Sequence, residues 1–118
     1  MNSKDLGLLA DMLGAARSAT SYVAGWTLEQ FSHDASKQDA VIYRVGIIGE
    51  AASHISDETK SLIPLDWPLM TGMRNRLFHG YREVRIPIVW KTVRADLPHM
   101  IEVIERYLAS DISSPDAS

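Results

Sequence analysis

Residues 73–81, Met73-Arg74-Asn75-Arg76-Leu77-Phe78-His79-Gly80-Tyr81, gather a guanidinium, an amide, an imidazole and a phenol in one short stretch. An imidazole, with an ordinary pKa of ~6.5, can take a proton from a ribose 2′-hydroxyl near neutral pH. A guanidinium can hold a phosphate through two parallel N–H bonds and stabilise the charge that develops on it in a transition state. Arg74 and His79, in a chain with no cysteine, therefore suit phosphodiester cleavage of RNA, with Asn75 placed to orient the phosphate or fix nearby backbone. The same residues also have a plain structural reading. An arginine and a histidine can close a helix end, and Tyr81 can seal the end of a bundle. On one straight helix Arg74 and His79 would stand ~140° apart. Their convergence requires either a helix that ends at Phe78 or His79, or a second protomer related by a two-fold axis.

The elements that must position this stretch are helical. Over residues 4–24 the positions Leu6, Leu9, Leu13, Ala16, Thr20 and Val23 are spaced 3-4-3-4-3, which keeps one stripe on one helix face. Gly25 is placed to end that helix, and Thr27-Leu28-Glu29-Gln30 reads as a capping box opening a short turn through Phe31. A second helix is predicted to start near residues 34–36, with Ser36 and Asp39 able to cap it, and to bury Val41, Val45, Ile48, Ala52 and Ile55. Gly46 and Gly49, three apart, let another helix approach closely. Glu50 lies among apolar neighbours, so it is expected either to pair with Arg74 or Arg44 and orient it, or to point to solvent.

A short turn over residues 57–62 leads to Pro64 and Pro68, which prevent a continuous helix. Asp66 is a plausible cap for a third helix through Leu69, Met70, Met73 and Leu77, ended by Gly80. Residues 82–86 read as a connector, and Pro87 opens a last helix with the stripe Val93, Leu97, Ile101, Ile104 and Leu108. Pro98 predicts a kink or break near Asp96. There is no repeat and no strand-like alternation. The expected fold is all-α: an antiparallel up-and-down four-helix bundle with short extra helical turns, one domain over residues 1–109 and a disordered tail over 110–118.

Charge is unevenly distributed. The chain of 118 residues carries a net −3, yet residues 74–94 hold Arg74, Arg76, Arg82, Arg85, Lys91 and Arg94 against the single acid Glu83. This local excess of +5 could attract phosphate, or it could be an ordinary solvated face. Arg76, Arg82 and Arg85 are candidates to contact either RNA or an acidic protein partner. The absence of cysteine excludes disulfides and thiolate-metal sites and fits a reducing cytoplasm. Neither a signal peptide nor an apolar run of the ~20 residues needed to cross a bilayer is present, so a cytoplasmic location without membrane contact is expected. Glu50 with His54 and Asp96 with His99 have metal-compatible spacings, but the paired Glu-x-x-His of di-iron bundles is missing, so no metal is expected. Trp26, Trp67 and Trp90 read as core or interface anchors more readily than as base-stacking platforms.

The Arg-x4-His-x-Tyr pattern of Arg74, His79 and Tyr81, with Asn75 after the arginine, resembles the signature of the HEPN superfamily, specifically its HepT-like branch. Further matches are Gln38-Asp39-Ala40-Val41, Ile47-Ile48-Gly49-Glu50-Ala51, Pro64-x-x-Trp67, Gly72-Met73-Arg74-Asn75 and Asp96-Leu97-Pro98. The resemblance implies a homodimer with Arg74 and His79 around a shared cleft, acting as a metal-independent endoribonuclease toxin without a cofactor. It implies Asn75 as a supporting residue. It also implies an antitoxin, a minimal nucleotidyltransferase of the MntA type, that silences the toxin by transferring AMP to Tyr81. Adenylylation would add bulk and negative charge where RNA must dock. Where the family commonly has an acid shortly after the tyrosine, this chain has Arg85. The competing expectation is a non-catalytic helical module that docks the nucleotidyltransferase through the same motif, or a plain structural dimer.

Overall fold

The computed structural model describes residues 2–79 and 83–113, with the backbone alone for residues 78, 79 and 111–113. It is predominantly helical: α1 (Ser3–Tyr22), α2 (Leu28–Ser32), α3 (Ala35–Ser53), α4 (Asp57–Leu62), α5 (Trp67–Arg76), α6 (Ile86–Lys91) and α7 (Leu97–Ser113). Helix α3 is central, packing against both α1 and α5, while α1 also packs against α7. The stripes that periodicity picks out become the core: Leu9, Leu13 and Ala16 of α1 meet Val41, Val45, Ile48 and Ala52 of α3, with Leu97 and Ile104 of α7 also buried. Met12, Met73 and Met100 fill irregular gaps between them. An exposed ion pair, Arg17–Glu105 at 2.6 Å, bridges α1 and α7.

Local start signals act as expected in two places. Thr27 accepts from the Gln30 backbone N–H at 3.1 Å while the Gln30 side chain accepts from the Thr27 N–H at 2.9 Å, a complete capping box. Asp66 caps α5 by accepting from the Leu69 N–H at 3.0 Å, with Pro68 in the first turn, where no N–H is needed. Gly25 takes φ +77° as a left-handed turn residue, but it does not itself end α1, which stops at Tyr22 with Val23 as its C-cap. The cap of α3 is Asp34, accepting from the Lys37 N–H at 2.8 Å, and not Ser36. Asp34 stands one residue before the helix, where extended backbone can present its carboxylate to the first free N–H groups; Ser36 is already helical.

The break near Asp96 takes the form of a π-helical turn, Thr92–Asp96, in which the Leu97 N–H bonds to the Thr92 carbonyl five residues back. Pro98 has no N–H and its ring crowds the carbonyl four residues earlier, so a wider turn relieves both problems. Lys91 and Asp96, 3.4 Å apart, span the widened turn. Helix α7 then continues to Ser113, into the segment expected to be tail, while residues 114–118 lie outside those described.

The largest departure from expectation follows α5. The helix stops at Arg76, with Leu77 as its C-cap, instead of running to Gly80. Phe78–His79 and Glu83–Val84 form a two-residue antiparallel ladder, β1 with β2, pairing Phe78 with Val84 and His79 with Glu83. The Arg85 N–H extends it, donating to the Leu77 carbonyl at 2.6 Å. Segments this short carry too few residues for alternation to be visible.

Candidate active site

Arg74 stands in the last turn of α5, where the free carbonyls of the helix end favour a cation. Its residue is exposed, and its aliphatic stem lies along α3: a Cβ built on Gly46 would stand 3.5 Å from Arg74 Cδ and 3.8 Å from Nε. The two residues line an open groove of about 740 Å³ on the α1, α3 and α5 side of the molecule. Leu8, Ile42 and Ile47 supply its apolar lining, Asp11, Asp39, Glu50 and His54 its polar side chains, and Tyr43 is two-thirds exposed beside it.

The second glycine of the pair has a different neighbour. A Cβ on Gly49 would meet the Thr71 and Met70 carbonyl oxygens at 3.5 and 3.6 Å, so this glycine faces the α5 backbone one turn before Arg74. The expectation of a close helix approach is met there.

Glu50 is largely exposed and bonds to His54 one turn along α3, its Oε1 3.0 Å from Nε2. The solvent-facing alternative is thus the one realised. Arg44, the other cation considered for Glu50, donates from Nε to the Tyr22 hydroxyl at 3.2 Å and lies over the Tyr43 ring. Asn75 and Arg76 are exposed on the same last turn of α5. Arg85 is the N-cap of α6, exposed, and lines a second cleft with Glu83, Val84, Ile86, Pro87 and Ile88. His79 lies on the extended backbone of β1, beyond the helix end, so the straight-helix separation from Arg74 does not apply. Its imidazole, Tyr81 and Arg82 lie outside what is described. Among the described residues no group of three or more His, Asp or Glu stands together to hold a metal ion, and no helix is long and apolar enough to cross a membrane.

Sequence reading missed Asp11, Asp39, Tyr43 and His54 as lining of the groove that Arg74 borders. The Glu50/His54 spacing of one helical turn was the only local signal among them. It also missed Asp5, which is 1% exposed. Its carboxylate accepts from the Ser56 N–H at 3.2 Å, from Ser56 Oγ at 2.5 Å and from Thr59 Oγ1 at 2.5 Å. Burial pushes the Asp5 pKa up, but the bonds from Ser56 and Thr59, helped by Lys4, outweigh it and leave the carboxyl below its ordinary 3.8. At the other end of α4, Trp67 Nε1 donates to the Lys60 and Ile63 carbonyls, each at 3.1 Å. Helix α4 is therefore held to α1 at its start and to α5 at its finish. Trp67 is a core anchor, while Trp26 and Trp90 are half-buried with Lys37 and Arg94 over their rings.

Residues 12–107 match the family described as Ribonuclease HepT-like. The chain belongs to that family. A Thermococcus cleftensis relative named "Probable ribonuclease HepT" is 36% identical over 93 residues, covering 78% of this chain and 84% of its own. Two Methanocaldococcus jannaschii relatives carry the name "Putative RNase". One is 29% identical over 107 residues, 89% of this chain and 98% of its own. The other is 29% identical over 118 residues, 98% of this chain and 97% of its own. No solved structure matches the chain. The matched HepT-like segment contains α5, the ladder and the whole Arg74–Tyr81 motif.

Proposed function

We propose that this protein is a metal-independent endoribonuclease and the toxin of a toxin–antitoxin pair. The observation that carries the reading is the place of Arg74, on the exposed last turn of α5 at the edge of the groove, within a HepT-like family match that spans the Arg-x4-His-x-Tyr motif. Arg74 binds the scissile phosphate and stabilises the added charge of its five-coordinate transition state. His79 takes the proton from the ribose 2′-hydroxyl. The 2′-oxygen forms a bond to phosphorus, the bond to the 5′-oxygen breaks, and that oxygen takes a proton from water. The products are a 2′,3′-cyclic phosphate, or the 3′-phosphate formed by its hydrolysis, and a 5′-hydroxyl. Asn75 supports the phosphate site, and Glu50 supports it from α3. Arg76, Arg82 and Arg85 guide RNA or meet the partner.

The active form is a cytoplasmic homodimer of up-and-down four-helix bundles in which each protomer contributes Arg74 and His79 to a shared cleft. A minimal nucleotidyltransferase antitoxin of the MntA type silences it by moving AMP from ATP to the Tyr81 hydroxyl, releasing pyrophosphate. The new phosphodiester sets a negative charge where an RNA phosphate docks. Purified protein should cleave single-stranded RNA in chelator to ends that carry a cyclic or 3′-phosphate, and His79→Ala should abolish it. Equal cleavage by His79→Ala would overturn the catalytic assignment. Expression without the antitoxin should arrest growth, whereas a non-catalytic docking module would leave growth unchanged. Co-expression with an MntA-type nucleotidyltransferase should add whole AMP units to the protein's mass, all lost in Tyr81→Phe.

A further inference from the structure

Cleavage of a phosphodiester by its own 2′-hydroxyl involves two proton transfers, and His79 serves only one of them. The attacking oxygen loses a proton, and the 5′-oxygen must gain one as it leaves. An alkoxide is about as basic as hydroxide, whose conjugate acid has a pKa of ~15.7. A positioned acid speeds its departure by about 10²- to 10⁴-fold. Attacking and leaving oxygens lie roughly in line across phosphorus, so the acid has to come from a different place than the base.

Among the described residues, His54 is the imidazole that lines the groove bordered by Arg74. It is the C-cap of α3, and its Nε2 lies 3.0 Å from Glu50 Oε1. A carboxylate only accepts, so Nε2 is the donor in that bond. The protonated ring has a second donor, Nδ1–H, which the bond to Glu50 leaves for another acceptor. Both side chains are more than half exposed, so a ligand in the groove reaches the ring without displacing packed residues.

The spacing along α3 suits the role. The Arg74 stem passes beside Gly46. Glu50 and His54 follow on the same face, about 6 and 12 Å further along the axis. Helix side chains lean toward the N-terminal end, and the bond to Glu50 holds the His54 ring back in that direction. A guanidinium and an acid bonded to different oxygens of one phosphate stand roughly 5–8 Å apart. With the ring leaning back toward Glu50, the Arg74 and His54 side chains are spaced to meet on one phosphate.

We propose that His54 is the general acid of the cleavage, its Nδ1–H protonating the departing 5′-oxygen in place of water while Glu50 holds the ring through Nε2–H. The proposal rests on the reading that Arg74 and His79 cleave RNA, and the test separates the two. As the 2′-oxygen bonds to phosphorus and the bond to the 5′-oxygen breaks, the Nδ1 proton moves to that oxygen and His54 becomes neutral. His79 holds the proton taken from the 2′-hydroxyl. Hydrolysis of the cyclic phosphate reverses the roles: His54 takes a proton from the attacking water, and His79 returns its own to the 2′-oxygen.

The experiment uses the full chain, in chelator, with His54→Ala, His54→Asn and His79→Ala. Thermal midpoint, kcat and KM are measured on two matched single-stranded RNA oligonucleotides, one with the ordinary 5′-oxygen at the scissile linkage and one with a bridging 5′-sulfur. Sulfur departs without a proton, since a thiol ionises near pH ~8.5. On the oxygen substrate His54→Ala should lower kcat about 100- to 1000-fold, with KM and midpoint nearly unchanged. On the sulfur substrate the same variant should stay within about threefold of wild type, whereas His79→Ala should lose activity on both. Asparagine suits a helix end and donates a hydrogen bond but has no proton to transfer, so His54→Asn should behave as alanine does.

Undiminished cleavage of the oxygen substrate by His54→Ala overturns the proposal. So does an equal loss on both substrates, which is what a role in binding or folding produces. Should His54→Ala fail to fold, His54→Asn carries the same comparison. Undiminished cleavage by His79→Ala would defeat the catalytic assignment of the motif, while the two substrates would still decide whether an acid acts at position 54. A wild-type protein that cuts neither substrate defeats both.

Discussion

Two places where charged side chains meet the helices differ sharply in construction. At the corner of α1 and α4, Asp5 is sealed from water and its carboxylate accepts hydrogen bonds from Ser56 and Thr59. Along the groove, Arg74, Glu50 and His54 stand open to solvent over an apolar lining, with Glu50 bonded to His54 across one turn of the same helix. A buried charge that is fully hydrogen-bonded makes the fold specific, because removing either side leaves an uncompensated polar group in a dry place. An exposed charge contributes little to folding. The contrast predicts that stability and activity separate by region.

The largest effect falls on the groove and on activity. Arg74→Ala should lower RNA cleavage by about 100- to 1000-fold while leaving the thermal midpoint nearly unchanged, since Arg74 is exposed; a large fall in midpoint would erase the comparison. At the closed corner, Asp5→Ala should destabilise the protein by about 2–3 kcal/mol, or roughly 10 °C in midpoint, with per-molecule cleavage preserved in the folded fraction.

Because the folded carboxyl of Asp5 sits below 3.8, its contribution is fully present above the ordinary carboxylate pKa. It fades as pH falls through the lowered folded value. The stability gap between wild type and Asp5→Ala should therefore be wide at pH 7 and narrow progressively on acidification below about pH 4. A gap that stayed constant would rule out the charged form as its source. Gly49→Leu should cost about 1–3 kcal/mol by overpacking against the α5 carbonyls, and chemical denaturation measures that cost. The smallest effect is at Glu50 and His54: Glu50→Gln should change stability by less than about 1 kcal/mol, as exposed ion pairs do. A larger loss by denaturant titration would mean the groove is more structural than its exposure suggests.

Sequence legibility tracks the range of the interactions. The Thr27–Gln30 box, the Asp66 cap and the break before Pro98 are each decided within three to five residues, and each could be read directly. At the start of α3, Asp34 and Ser36 are both capping residue types two positions apart, and Asp34 is the one that caps. The helix end at Arg76 was not legible, because Gly80 is the obvious stop signal; the chain leaves the helix earlier to pair with Glu83, Val84 and Arg85. Asp5 could not be read either, since its partners lie 51 and 54 residues away.

The amino-acid order by itself determined the main helices, the Thr27–Gln30 box and Asp66 cap, the apolar stripes and the HepT-like motif, because these rest on periodicity and neighbours close in the chain. Tertiary structure alone decided which atoms those elements bring together. It gave Gly46 and Gly49, three residues apart on one face, different partners, turned Asp5 into a buried lock, and laid the Arg74 stem along α3. Such pairings depend on how helices distant in sequence pack, and no short stretch of sequence contains that information.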